Sequence, residues 1–235
     1  MKSKYIDQII ELMLDSNKFL ITSHVSPDGD NLGSMLALKF SLELLGKEVK
    51  LVLDDTVPNS FSFLPSSEDI KEYSSDFNLN YDAAFVLDCS NLNRIDRVKE
   101  LMVDKMIVNI DHHGDNPLFG DYNLVKDVAA TGELIYELIN KLPDVNLNDQ
   151  IAVALATALI TDTGSFRYSN TTKKTHQIMS KLLEYDVDTA KISKEIFNTN
   201  SYQSLVLRGK ALQVLELDSS GEIAWLKVTQ DMLDE

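Results

Sequence analysis

With 235 residues, the chain has room for one large domain, or for one domain and part of a second. Hydrophobic residues make up 44% and charged residues 25%, the balance of an ordinary globular protein rather than a disordered one. The 22 basic residues are outnumbered by 37 acidic ones, and the formal charge of −15 repels long polyanions. Small phosphorylated molecules or short chain ends, rather than duplex DNA, are therefore the expected partners.

Cys89 is the single cysteine, which rules out an internal disulfide; beside Asp88 it reads as a small buried residue. The opening segment, KYIDQIIELML, lacks the apolar core and small-residue cleavage site of a secretory leader. No apolar run approaches the roughly 20 residues that span a bilayer. A cytoplasmic protein with no membrane partner is expected.

From the N-terminus, Tyr5 to Leu14 sets Ile6, Ile9, Ile10, Met13 and Leu14 on one helical face. Phe19 to Thr22 reads as a strand running into HVSPDGD. Asn31 is the expected cap of the next helix, whose apolar positions run from Leu32 to Leu42 and which stops at Gly46. EVKLVLDD is a second strand, ending at Asp54 and Asp55, and Val57 to Pro65 is a turn-rich connection. Ala83 to Ser90 is strand-like, Leu92 to Leu101 a short helix, and Met106 to Ile110 another strand running into Asp111, His112 and His113. Ala129 to Leu142 and Asp149 to Ile160 are helical, the second with a nearly continuous apolar surface. Strands and helices alternate without tight turns between strands. This predicts an α/β fold, a parallel β-sheet flanked by helices, with functional groups beyond the carboxyl ends of the strands.

Beyond Tyr168 the pattern becomes helical, over Thr171 to Tyr185, Asp188 to Phe197 and Tyr202 to Leu212. Two alternating runs then flank Asp218-Ser-Ser-Gly221, a hairpin signal. A lone hairpin cannot bury its apolar face, so the tail is expected to open a second, incomplete α/β domain.

Of four histidines, His24, His112 and His113 lie within two short motifs rich in aspartate, and only His176 reads as a surface residue. With Asp28, Asp30, Asp88, Asp111 and Asp162, they supply the imidazole and carboxylate groups that bind divalent cations and activate water. Oxygen and imidazole ligands without thiolates favour manganese, magnesium or zinc, and several histidines tilt the choice towards manganese. Gly33 and Ser34 are placed in the first turn of a helix, whose amides accept a phosphate oxygen. Arg167, close behind Asp162, offers a guanidinium for a phosphate. Phe166 and Tyr168 are candidates for stacking on a base. Asp54 and Asp55 have no imidazole nearby and read as cap, turn or supporting residues.

These motifs resemble those of the DHH phosphoesterase family. His24-Val-Ser-Pro-Asp28-Gly-Asp30-Asn-Leu-Gly33-Ser34 looks like its first motif and Leu87-Asp88-Cys-Ser its second. Asp111-His112-His113 matches the motif that names the family, and Thr161-Asp162-Thr-Gly-Ser-Phe-Arg167 looks like its fourth. The chain is most similar to the NrnA type, bifunctional oligoribonucleases that also dephosphorylate 3'-phosphoadenosine-5'-phosphate (pAp). The resemblance implies two manganese ions, one held by His24, Asp28 and Asp88, the other by Asp30, Asp88, His112 and Asp162. It implies that Asp111 orients a histidine, that His113 faces the scissile phosphate, and that a metal-bridging hydroxide attacks it. Short oligoribonucleotides and small phosphorylated nucleotides are the implied substrates, and a homodimer is an allowed assembly. Cyclic dinucleotides or pApA, pyrophosphate, or an impaired metal- or nucleotide-binding role are the alternatives.

The same resemblance implies a smaller second domain with a glycine-rich motif ending in histidine, and no such motif occurs here. The expected layout is a catalytic metal-binding domain over 1–190, a helical linker over 191–212, and over 213–235 the opening hairpin of a substrate-binding domain cut short.

Overall fold

Apolar runs that end in polar loops become the inner strands of one parallel sheet in the computed structural model, which describes residues 4–234. The strands are β1 (Lys18–Ser23), β2 (Glu48–Leu53), β3 (Ile70–Glu72), β4 (Ala83–Leu87), β5 (Met106–Asp111) and β6 (Tyr122–Val125). Their order is β3-β2-β1-β4-β5-β6, and every neighbouring pair is parallel. Because β1 is flanked by β2 and β4, the connections from β1 and β4 diverge, and the carboxyl ends of the central strands border a crevice. The expected α/β architecture is the observed one. The edge strands β3 and β6 lack a sequence signal: IKE and YNLV are too short and too polar to show a period.

Burial on both faces explains the continuous apolar runs of β1 and β4. On one face Phe19 packs on Phe85, ring centroids 5.7 Å apart. On the other, Leu20, Ala84 and Val86 meet Tyr81, Ile95, Val98 and Met102. The helices of this unit are α1 (Lys4–Asp15), α2 (Gly29–Leu44), α3 (Thr131–Ile139), α4 (Asp149–Asp162), α5 (Lys173–Leu182) and α6 (Thr189–Ser193). Helix α2 lies against both the sheet and α4, so every residue from Gly29 to Leu42 is buried. A Cβ at Gly33 would sit 2.3 Å from the Ala154 carbonyl oxygen; the hydrogen-only side chain lets α2 and α4 approach this closely.

Two local expectations are corrected. Asp28, not Asn31, caps α2: its Oδ1 accepts the Asn31 amide at 3.0 Å, and the helix begins at Gly29. Asn31 lies inside the first turn, its side-chain amide donating to the His24 carbonyl. The segment Leu92–Met102 is not a regular helix but 3₁₀ turns broken at Asp96, where φ is 45°. The break lets Ile95, Val98 and Met102 reach the sheet face together.

The chain divides between Ile196 and Phe197 into two units. The second contains α7 (Tyr202–Gln213), a hairpin of β7 (Glu216–Leu217) and β8 (Ala224–Trp225), and α8 (Gln230–Asp234). Asp218 organises the turn by accepting the Glu222 and Ile223 amides. Leu217, Ile223 and Trp225 stay exposed, as expected of a hairpin without further strands. Among the described residues no helix is long and apolar enough to cross a membrane.

Candidate metal centre

The chain leaves β1 at Ser23 and presents His24 at once. Its turn is pinned from two sides, with the Val25 amide donating to the Arg94 carbonyl at 2.8 Å and the Ser26 amide to Asp55 Oδ2 at 2.6 Å. Asp55 therefore supports the loop that carries the ligand candidates, while Asp54 is taken up by Arg97. Gly29 is required by crowding rather than by dihedral angle: an added Cβ would lie 2.0 Å from Thr161 Oγ1. After β4, Asp88 adopts φ 51°, a left-handed conformation that Asp tolerates better than most residues. Asp111 closes β5, and His112 and His113 follow. Asp162 arrives from elsewhere, in the last turn of α4, its backbone carbonyl held by the Asn170 side chain.

These segments converge. One group comprises His24, Asp28 and Asp88; a second, Asp30, His112 and Asp162; a third, Asp88, His112 and His113. Asp88 links them through its separate oxygens, Oδ2 lying 3.4 Å from His24 Nε2 and Oδ1 3.5 Å from His112 Nε2. His112 Nε2 is also 3.5 Å from Asp162 Oδ2 and 3.9 Å from Asp30 Oδ2. Both rings are turned by backbone carbonyls. His24 Nδ1 donates to Val25 O at 2.7 Å and His112 Nδ1 to Val128 O at 3.2 Å, so each Nε2 lone pair faces the carboxylates.

Asp30, in the first turn of α2, is fully buried with its carboxylate against the start of α3, accepting the Thr131 and Gly132 amides and the Ser34 hydroxyl. Burial still pushes its carboxyl well above the usual range, with Asp88 and Asp162 adding repulsion. Burial likewise pushes Asp162 up to about 6. Burial opposes ionisation of Asp88 too, but the three histidines outweigh it and hold that carboxyl low. His24 is raised: burial works against its charge, and Asp88, the Val25 carbonyl and Asp28 overcome it. His113 is raised mainly by Asp111, whose Oδ1 accepts from Nδ1 at 2.6 Å. Carboxylates this close, with histidines in the facing tautomer, make a candidate site for divalent cations.

The family model for "DHH family, N-terminal domain" matches residues 18–161, a span that includes every residue of these groups except Asp162. The chain belongs to the DHH family. It is 36% identical over 215 residues to the bifunctional oligoribonuclease and PAP phosphatase NrnA of Thermus thermophilus, covering 90% of this chain and 63% of that one. The Bacillus subtilis protein of the same description is 28% identical over 92% of this chain and 68% of its own length. Among solved structures, an exopolyphosphatase-related protein from Bacteroides fragilis superposes with a TM-score of 0.90 at 27% identity, over 98% of this chain and 71% of that one. The chain thus spans just under two thirds of the Thermus relative's length.

The donor set of this DHH chain suits divalent cations: three imidazoles and four carboxylates that face one another, with no thiolate. Cys89 is no ligand candidate, since burial pushes its thiol up to about 11 and its Sγ bonds the Asn91 carbonyl. Gly33 and Ser34 lie one turn deeper than expected because α2 starts at Gly29. Gly33 packs on α4 and Ser34 spends its hydroxyl on Asp30, so both stand behind the ligands. Arg167 is exposed, its Nε donating to Gly164 O, in a turn where Gly164, Ser165 and Phe166 all have positive φ. Phe166 stacks on His176 at 5.1 Å rather than standing free for a base.

Supporting residues went unread in the sequence. Thr131 donates its hydroxyl to Asp88 Oδ1 at 3.0 Å and its amide to Asp30. Asn116 donates to Asp111 Oδ2 and to Asn109 Oδ1, completing a chain from the sheet to His113. Five residues beyond Asp111, Asn116 carries only a loop signal; its role exists once the loop folds back.

Proposed function

We propose that this DHH chain is the catalytic part of a manganese-dependent phosphoesterase. It hydrolyses very short oligoribonucleotides to mononucleotides, and pAp to AMP. The observation that carries the reading is Asp88, buried and shared by two histidine-carboxylate groups through its two oxygens. Similarity to the Thermus and Bacillus enzymes supports the substrate class.

His24, Asp28 and Asp88 would hold one divalent cation, and Asp30, Asp88, His112 and Asp162 a second. Such a pair supplies an activated water and neutralises phosphoryl charge. Thr131 and Ser34 keep the ligand oxygens aimed, and the α3 amides hold Asp30. Asp111 fixes His113 with Nδ1 inward, leaving Nε2 as the end that meets substrate. Asp111 also strengthens the affinity of that ring for a proton, so His113 can hold one near neutral pH and deliver it to the leaving oxygen. We assign the hairpin of the second unit to a substrate-binding part of the protein.

The test is hydrolysis of pAp, a labelled diribonucleotide, pApA, pyrophosphate and polyphosphate, measured side by side with manganese. Preference for the first two is expected. Preference for the anhydrides would replace this reading with that suggested by the Bacteroides protein. In the same assay, His113→Ala should keep its metal and lose about 10²- to 10⁴-fold in rate, the range for one proton-transfer group. Loss of metal from that variant would make His113 a ligand instead.

A further inference from the structure

Among the ligand candidates, Asp162 alone arrives from the C-terminus of a helix. As the last residue of α4, it has a backbone carbonyl with no partner inside the helix. Its Oδ2 nevertheless lies 3.5 Å from His112 Nε2. Asn170 supplies a tie at this point. Its Nδ2 donates to the Asp162 carbonyl at 2.9 Å and to the Ala129 carbonyl at 3.0 Å. Ala129 belongs to a run that serves the other ligands. Val128 beside it turns the His112 ring, its carbonyl accepting Nδ1 at 3.2 Å. Thr131 donates its hydroxyl to Asp88 Oδ1 at 3.0 Å and its amide to Asp30 Oδ2 at 2.6 Å. Residues 126–130 form neither helix nor strand, so no regular ladder fixes their place.

One carboxamide thus joins the helix end that carries Asp162 to the segment that aims His112, Asp88 and Asp30. Asn170 is itself firmly mounted. The Thr171 amide donates to the Tyr168 carbonyl at 3.1 Å. The capping box of Thr172 and Thr175 follows, and the Thr175 hydroxyl reaches the buried Glu133 of α3 at 2.6 Å. Both partners of Nδ2 are carbonyl oxygens, so the amide has one orientation, and Oδ1 is left buried without a partner. An unpaired buried acceptor costs the fold stability. The fold carries that cost at the residue whose donors tie two ligand segments together. We propose that Asn170 is a positioning residue of the metal centre, setting the gap across which Asp162, His112 and Asp30 share a cation. It does so through the backbone of Asp162 and Ala129, and the inference rests on the two-cation reading above.

The test is calorimetric titration of the metal-free protein with manganese, with electron paramagnetic resonance to follow the coupled ion pair. The wild type should take up two ions. In Asn170→Ala one ion should bind about 10- to 100-fold more weakly, the loss usual when a residue that orients a ligand is removed. The other ion should keep its wild-type affinity, and the paired signal should fade at concentrations that load the wild type. Asn170→Ser, with a shorter arm and a single donor, should be intermediate. Asn148→Ala serves as the control, because it removes the cap at the opposite end of α4, where Oδ1 accepts the Ile151 amide at 2.9 Å. It should lower the melting temperature and leave both affinities unchanged. Unchanged affinities in Asn170→Ala overturn the assignment, as does an equal loss in Asn148→Ala, which would mark a general loosening of α4. Should Asn170→Ala fail to fold, Asn170→Ser decides on the same criteria. A wild type that binds fewer than two ions removes the two-cation reading and the assignment with it. Hydrolysis of pAp is scored separately; Asn170-dependent pairing without hydrolysis leaves the assignment standing and removes only the proposed activity.

Discussion

Asp88→Asn should cut phosphoester hydrolysis steeply and weaken cation binding at both ligand groups at once. The substitution removes the one carboxylate that faces both His24 and His112, at 3.4 and 3.5 Å from opposite oxygens. Asparagine keeps the side-chain shape, tolerates the φ of 51° at this position, and still offers an acceptor to the Thr131 hydroxyl. The fold should survive, and the loss can be assigned to charge. Cations that neutralise a phosphoryl group contribute several kcal/mol to the transition state, and about 1.4 kcal/mol is tenfold in rate, so a drop on the order of 10³-fold is expected. Initial rates and elemental analysis of the purified variant check this, with circular dichroism to confirm folding. Wild-type rate together with wild-type metal content would remove Asp88 from its shared position.

Manganese should stabilise the protein, and more so at pH 8 than at pH 5.5. In the metal-free protein Asp30 and Asp162 have carboxyls raised above their ordinary value of 3.8, Asp162 to about 6. A raised carboxyl favours the folded state while protonated, and that contribution fades as pH rises through the folded value. His24 and His113, raised above 6.5, act in the same direction, since their favourable protonated forms are lost over a similar range. Asp88, held low, is already ionised throughout this window and contributes no slope. Metal-free protein should therefore melt at a lower temperature at pH 8 than at pH 5.5. Cation binding reverses the balance, because it requires ionised carboxylates and neutral imidazoles and so strengthens as those protons leave. At a hundredfold excess over its dissociation constant, one bound ion adds about 2.7 kcal/mol, roughly 5–10 °C for a chain of this size. Scanning calorimetry at the two pH values, with and without manganese, measures both slopes. A manganese increment that is larger at pH 5.5 would show that these carboxylates do not bind the ion.

The ligand candidates were legible because function had concentrated unusual residues. Three of four histidines stand in two motifs at strand ends, and no packing requirement explains HVSPDGD or IDHH. The buried strands were legible for the opposite reason, as unbroken apolar runs between polar loops. Less legible was anything set by a partner distant in sequence. Asn31 has the chemistry of a cap, yet Asp28 takes that position, and Gly33 falls a turn deeper than its motif suggests. Leu92 to Leu101 has helical spacing, but the sheet face pulls Ile95 and Val98 into a kinked path.

The sequence by itself determined which groups are available and that a parallel sheet carries them, since residue chemistry and hydrophobic period are local properties. Only the tertiary structure decided how those groups act. It turned the two oxygens of Asp88 towards different histidines, brought Asp162 in from a helix end, and set Thr131 and Asn116 behind the ligands. Distances and ring orientations arise from contacts between residues as far apart as Asp30 and Thr131, and no local pattern in the chain encodes them.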